Sequence, residues 1–271
     1  MGPKTALRRL ELSTGIALTC VASGGDRGIP VILLHAWGES RGAFDRLVAA
    51  VPASVPVLAV DQRGHGDADV PASGYGLTDF ADDIEALMDA AGLSSAVLVG
   101  ASSGGYVAQQ VAVTHPQRVA GLVLVGCPRS LQGRPTIADE IDGLIDPVQE
   151  SWVRQSLSWF PRFHVVPQWY IDDRVRDGTR LSAHVWRETF QGLCAATPPT
   201  EAGTITAPTL VIWGDRDELL SRDQQEALVS AIPGSRLVTY ENTGHLVLWE
   251  EPEGVARDLT AFVEGLAPAL P

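Results

Sequence analysis

The sequence predicts an α/β fold: a mostly parallel central sheet flanked by helices, with an all-helical insertion after the sixth strand. Three observations carry it. Short apolar runs at Pro30–Leu34, Val55–Val60, Ala96–Val99, Val119–Val125 and Pro208–Trp213 alternate with stretches of helical spacing. Runs that are apolar throughout belong to strands buried on both faces, the habit of parallel sheets. The alternation stops between Pro128 and about Pro208, where the patterns are helical, and then resumes. One strand-to-helix junction, Val97-Leu98-Val99-Gly100-Ala101-Ser102-Ser103-Gly104-Gly105, reads Gly-x-Ser-x-Gly, the mark of a serine held on a sharp turn.

Taken in order, Leu7–Leu12 and Ile16–Val21 are strand-like, and Ser13-Thr14-Gly15 between them makes an opening hairpin. The Pro30–Leu34 strand ends at His35-Ala36-Trp37-Gly38-Glu39-Ser40, and a helix is expected over Arg41–Ala50. The Val55–Val60 strand ends at Asp61-Gln62-Arg63-Gly64-His65-Gly66-Asp67. Leu77, Phe80, Ile84, Leu87, Met88 and Ala91 fall at helical spacing, with Thr78 as the expected N-cap. Past the serine turn a helical pattern runs from Tyr106 to His115, and the Val119–Val125 strand follows. In the insertion, Ile137, Ile141, Leu144, Ile145, Val148 and Trp152 form one helical stripe. Further helices are expected near 150–160, 165–176 and 181–195, punctuated by prolines. After the Pro208–Trp213 strand, Ser221-Arg222-Asp223-Gln224 is a capping box opening a helix. Leu237–Tyr240 is the last strand, and a closing helix ends near Gly265.

The chain has 271 residues, 45% of them hydrophobic, enough for one large α/β domain or two small ones. Its 33 acidic against 20 basic residues give a net charge of −13, spread along the chain. Phosphate backbones and anionic lipid repel such a surface, which argues against nucleic-acid and membrane partners; solubility is the plain consequence. Cys20, Cys127 and Cys194 are odd in number, far apart and without Cys-x-x-Cys, so neither a disulfide framework nor a zinc site is expected. Cys127, closing an apolar run, reads as a small buried hydrophobe. Met1–Leu10 carries Lys4, Arg8 and Arg9 without an apolar core, so no secretory signal is expected. Gly2 fails a myristoylation pattern because Ala6 stands where Ser or Thr is needed. The reading is a soluble, cytoplasmic protein.

A serine hydroxyl is a weak nucleophile and needs a base in contact and a group that orients the base. Ser102 has glycines two positions either side; Ser103, the rival, has Ala101 and Gly105 at those offsets. At the carboxyl ends of later strands stand Asp217, in Gly214-Asp215-Arg216-Asp217, and His245, in Gly244-His245, with Asp215 competing for the acid position. Attack on an acyl carbon leaves negative charge on its oxygen, and the Ser103 N–H is placed to receive it. Six scattered histidines form no metal-ligand pattern, and no cofactor is implied.

Together with His35-Ala36-Trp37-Gly38 and Asp61-Gln62-Arg63-Gly64-His65-Gly66, these motifs resemble the α/β-hydrolase superfamily, of the capped serine esterase or lactonase type, over nearly the whole chain. The resemblance implies Ser102 as nucleophile, His245 as base then acid, Asp217 as orienter of the imidazole, and Trp37 N–H as the second oxyanion donor beside Ser103. It makes His35 an anchor of the oxyanion loop and His65 a brace. The chain departs from the family at Ala36, where glycine is common; alanine serves unless that residue needs a positive φ. The resemblance divides the chain into a core of residues 1–127 and 208–271 and a helical cap of 128–207; most of the cap's aromatics are read as its core, with Trp152, Trp159 and Trp186 expected to face the substrate. Ser-Ser-Gly at the turn is similar to zearalenone-type macrolactone hydrolases, which carry a Glu after the next strand, where this chain has Gly126-Cys127. The function implied is hydrolysis of a neutral, hydrophobic carboxylic ester or lactone. C–C bond hydrolysis, cofactor-free perhydrolysis, acyl transfer and a slow-turnover ligand receptor stand as alternatives on the same residues.

Overall fold

A computed structural model describes residues 6–25 and 27–266, so the readings made on Gly2 and Lys4 lie outside the described residues. Eight strands form one sheet in the order β1-β2-β4-β3-β5-β6-β7-β8. The opening hairpin, β1 (Ala6–Glu11) and β2 (Ala17–Ser23), is antiparallel, and β2 runs antiparallel to β4. The remaining pairs, among β3 (Val31–Leu34), β4 (Val57–Asp61), β5 (Ala96–Ala101), β6 (Val119–Val125), β7 (Thr209–Gly214) and β8 (Arg236–Tyr240), are parallel.

Successive side chains of a strand point to opposite faces, so an unbroken apolar run feeds two cores at once. In β3, Ile32 and Leu34 join Leu98, Leu122 and Leu124 on one face, while Val31 and Leu33 join Val97, Val99 and Val123 on the other. Helix α1 (Asp45–Ala50) packs on the second face with the closing helix. Helices α2 (Leu77–Ala90) and α3 (Ser103–Thr114) cover the first.

Between β6 and β7 the chain forms α4 (Ala138–Asp142), α5 (Glu150–Ser156), α6 (Gln168–Arg180), α7 (Ala183–Ala195) and α8 (Pro199–Ala202). After β7 come α9 (Arg222–Ala231), then α10 (Val247–Glu250) and α11 (Pro252–Leu266). The capping box expected at Ser221 is present: Gln224 N–H donates to Ser221 Oγ, and Ser221 N–H to Gln224 Oε1.

Four local expectations are corrected. The Arg41–Ala50 segment opens as a 3₁₀ turn over Arg41–Phe44, capped by Ser40, before α1 begins. Helix α2 starts at Leu77 behind Gly76, so Thr78 lies inside it; the Asp79 carboxylate, not Thr78, serves the first free amide, that of Gly76. The stripe from Ile137 to Trp152 is two helices rather than one. Pro147 has no N–H to continue the ladder, and Ile145 is left 76% exposed between them. Helix α3 begins at Ser103, not Tyr106, directly behind Ser102. No helix among the described residues is long and apolar enough to cross a membrane.

Candidate active site

Ser102 sits at φ 46°, ψ −118° between β5 and α3, a conformation that a residue with a Cβ adopts only under constraint from its surroundings. The constraint is visible on both sides. A Cβ on Gly100 would lie 2.2 Å from Gly105 Cα, and one on Gly104 would lie 2.2 Å from the Leu34 carbonyl oxygen. With only hydrogens there, the backbone closes into a turn that lifts the Ser102 side chain off the sheet.

His245 follows β8 and is buried, with Nε2 3.1 Å from Ser102 Oγ and Nδ1 2.8 Å from Asp217 Oδ2. A carboxylate only accepts, so Nδ1 carries the proton and Nε2 is free to accept one from Ser102. The second Asp217 oxygen takes the N–H groups of Leu219 and Leu220 at 2.8 and 2.9 Å, which fixes the carboxylate in one orientation. Arg216 N–H donates to the Thr243 carbonyl at 2.9 Å, tying the Asp217 loop to the His245 loop. The rivals stand apart from this chain of hydrogen bonds. Asp215 is exposed, and its backbone N–H donates to the Tyr240 carbonyl at 3.0 Å. Ser103 Oγ instead accepts the Trp37 N–H at 2.8 Å.

The loop after β3 is held from beneath. Gln62 N–H donates to His35 Nε2 at 3.1 Å, and Gln62 Nε2 donates to the His35 carbonyl at 2.8 Å. The His35 and His65 rings lie 5.1 Å apart, both buried. Burial pushes the imidazole of His35 down to about 4 and that of His65 to about 3, so both are neutral struts at ordinary pH. Arg63 forks onto the buried Asp83 with contacts of 2.6 and 2.7 Å and fixes the neighbouring loop. Ala36 is not among the residues with positive φ, so alanine serves where glycine is common.

A largely apolar cavity of about 280 Å³ opens over Ser102 and His245. Trp159 and Trp186 line it, together with Phe160, Phe190, Leu131 and Leu219. Trp152 does not line it. It stands behind the wall, edge-on to Trp186 at 5.1 Å and to Trp159 at 6.1 Å, because α5 turns Val153 and Ser156 toward the cavity instead. Trp37 closes the floor, its indole N–H donating to the Trp186 carbonyl at 3.1 Å and its ring 4.7 Å from the Trp186 ring.

Three residues that the sequence reading left without a role line this cavity. Phe160 stacks on the His245 imidazole at 5.2 Å and 26°. Arg174 of α6 is buried, with Nη2 2.9 Å from Asp177 Oδ2. Glu39 accepts from Ala36 N–H and the Trp249 indole. The one available signal was at Glu39, an acid only five residues past the end of a fully buried strand. Phe160 and Arg174 carried none, since helical spacing does not say which helix faces a cleft. Among the described residues no cluster of His, Cys, Asp and Glu could hold a metal ion.

Comparison with known proteins places these observations. The family model described as the alpha/beta hydrolase family matches residues 31–258. A pimeloyl-(acyl-carrier protein) methyl ester esterase of Neisseria meningitidis serogroup C is 29% identical, covering 87% of this chain and 94% of its own. A non-heme chloroperoxidase of Streptomyces lividans is also 29% identical, covering 88% and 92%. The solved structure of an esterase from Exiguobacterium antarcticum superposes with a TM-score of 0.84 at 25% identity, covering 97% of this chain and 100% of that one. With its motifs, its sheet order and a match over most of its length, the chain belongs to the alpha/beta hydrolase family.

Proposed function

We propose that this protein is a serine hydrolase that cleaves a neutral, hydrophobic carboxylic ester or lactone through an acyl-enzyme. The observation that carries this reading is the unbroken contact from Ser102 through His245 to Asp217 beneath an apolar cavity. In this mechanism Ser102 Oγ attacks the acyl carbon as His245 Nε2 takes its proton, and Asp217 holds the imidazolium that forms. The Trp37 and Ser103 N–H groups receive the oxyanion, each such donor being worth about 10²–10³ in rate. The intermediate collapses as His245 protonates the leaving alcohol, and water then releases the acid by the same steps in reverse. The esterase relatives support the ester half of the reading. In it, residues 128–207 act as a cap that supplies the aromatic wall and selects bulky apolar groups. The three free cysteines suit a reducing compartment, and the cytoplasm is the proposed location.

The test is turnover by the purified protein and its Ser102→Ala variant on linear aryl and alkyl esters beside small and macrocyclic lactones of matched hydrophobicity. Fast Ser102-dependent opening of one group is expected and chooses between esterase and lactonase. Unchanged turnover in Ser102→Ala would overturn the reading.

A further inference from the structure

Glu39 is a carboxyl group in the site for which the three-residue mechanism has no use. Its Oε2 accepts the Ala36 N–H at 3.2 Å and its Oε1 the Trp249 indole N–H at 3.2 Å, so it bridges the loop after β3 to α10 behind His245. Each carboxylate oxygen offers two lone pairs, so one on each is left over. Besides the large cavity, Glu39 lines a second one of about 20 Å³, whose wall also includes Ala36, Ser102, His245 and Trp249. A cavity holds one water when it offers about 10–15 Å³ and two to four polar partners. Glu39, Ser102 and His245 supply the partners. Partial burial pushes the Glu39 carboxyl up to about 7 against the pull of Arg174.

We propose that this small cavity is the subsite of the second nucleophile, water in hydrolysis, and that Glu39 orients it. The inference rests on the acyl-enzyme reading of Ser102. In the step, the water oxygen bonds to the acyl carbon and one of its protons passes to His245 Nε2. The other hydrogen is held by Glu39, which turns the attacking lone pair toward the carbon. Collapse breaks the bond from acyl carbon to Ser102 Oγ, Ser102 recovers the proton from His245, and the carboxylic acid leaves. Glu39 ends as it began. A small protic nucleophile such as methanol fits the same chemistry, which makes this the subsite that decides between hydrolysis and acyl transfer.

The experiment follows p-nitrophenyl ester turnover by stopped flow, with quenched intact-protein mass measurement, in wild type, Glu39→Leu and Glu39→Gln. Misplacing the water slows release of the acyl group but not its formation. In Glu39→Leu, kcat is therefore expected to fall about 10- to 100-fold. KM falls with it, so kcat/KM stays within about threefold, and one acyl group per chain accumulates on Ser102. Glu39→Gln keeps an acceptor and recovers most of the loss, and Glu39→Ala, which also removes the acceptor, takes the place of the leucine variant should that one not fold. Two results would overturn the proposal: a fall in kcat/KM as large as that in kcat without an acyl adduct, which makes Glu39 a brace of the Ala36 loop, or unchanged kinetics. The acyl-enzyme reading fails separately, if Ser102→Ala retains turnover and no adduct forms in any variant.

Discussion

The backbone N–H of Trp37 donates to the Ser103 hydroxyl across 2.8 Å. That amide is one of the two groups proposed to receive the oxyanion, so in the free protein its donor is already satisfied. An incoming carbonyl oxygen has to displace the hydroxyl, and a hydrogen bond of this kind is worth about 0.5–1.5 kcal/mol net. Ser103→Ala leaves its own N–H in place and releases the Trp37 amide, so kcat should rise by a few-fold with the fold unchanged. Steady-state kinetics on the preferred ester decides it. A loss of tenfold or more would mean that the hydroxyl itself serves the oxyanion.

The position of the acid makes a second test. Asp217 touches His245 while Asp215 is exposed, so Asp217→Asn should lower kcat by about 10⁴ through the wrong tautomer and lost charge. Asp215→Asn should stay within about threefold. Gly126, at the end of β6, has φ +54°, and a Cβ there would lie 2.8 Å from the His245 carbonyl oxygen. Position 126 therefore has no room for an acidic side chain, and Gly126→Ala should shift the His245 loop and cost activity. Comparable losses from the two Asp substitutions would remove Asp217 from its proposed role.

Most of the architecture was legible because burial on both faces writes continuous apolar runs, and helices write their own period. The strand–serine–helix junction and the two later loops were legible because a sharp turn leaves glycines at fixed offsets. What escaped depended on side-chain direction. The Ile137–Trp152 stripe has a helical period on either side of Pro147, yet the segment around Ile145 leaves the helix. Trp152, Trp159 and Phe160 are near neighbours in sequence, but nothing in their spacing says that the first packs behind the wall and the other two face the cavity. Glu39 stood in plain view in a motif read for its histidine and tryptophan.

That difference between neighbours is itself testable. Phe160 covers the His245 ring, whereas Trp152 supports Trp159 and Trp186 from behind. Phe160→Ala should lower kcat/KM for bulky hydrophobic esters by about tenfold, mostly through KM, because the lost stacking surface belongs to the site. Trp152→Ala should instead cost stability, about 2 kcal/mol or more, with a smaller change in KM. Paired kinetics and thermal melts separate them, and equal effects in both assays would place both residues in one wall.

The buried histidines set how the fold answers acid. His65 is held at about 3, below its ordinary 6.5, first by burial and then by the neighbouring His35 ring. Below pH 6.5 the unfolded chain binds a proton that the folded one refuses, so this contribution is complete above 6.5 and is lost as the pH falls toward 3. Glu39 works in the opposite sense. Its pKa is raised in the fold, so its contribution is complete at low pH and is lost as the pH rises through about 7. The observed curve holds both effects, and a comparison with His65→Asn isolates the first, since asparagine keeps a donor for the Arg63 carbonyl that His65 Nδ1 reaches at 2.8 Å. Between pH 7 and pH 5, wild type should lose about 2 kcal/mol more than the variant in urea unfolding, at about 1.4 kcal/mol per pH unit below 6.5. Parallel losses would mean that His65 takes up its proton inside the folded protein, and that the loop it braces opens before the sheet does.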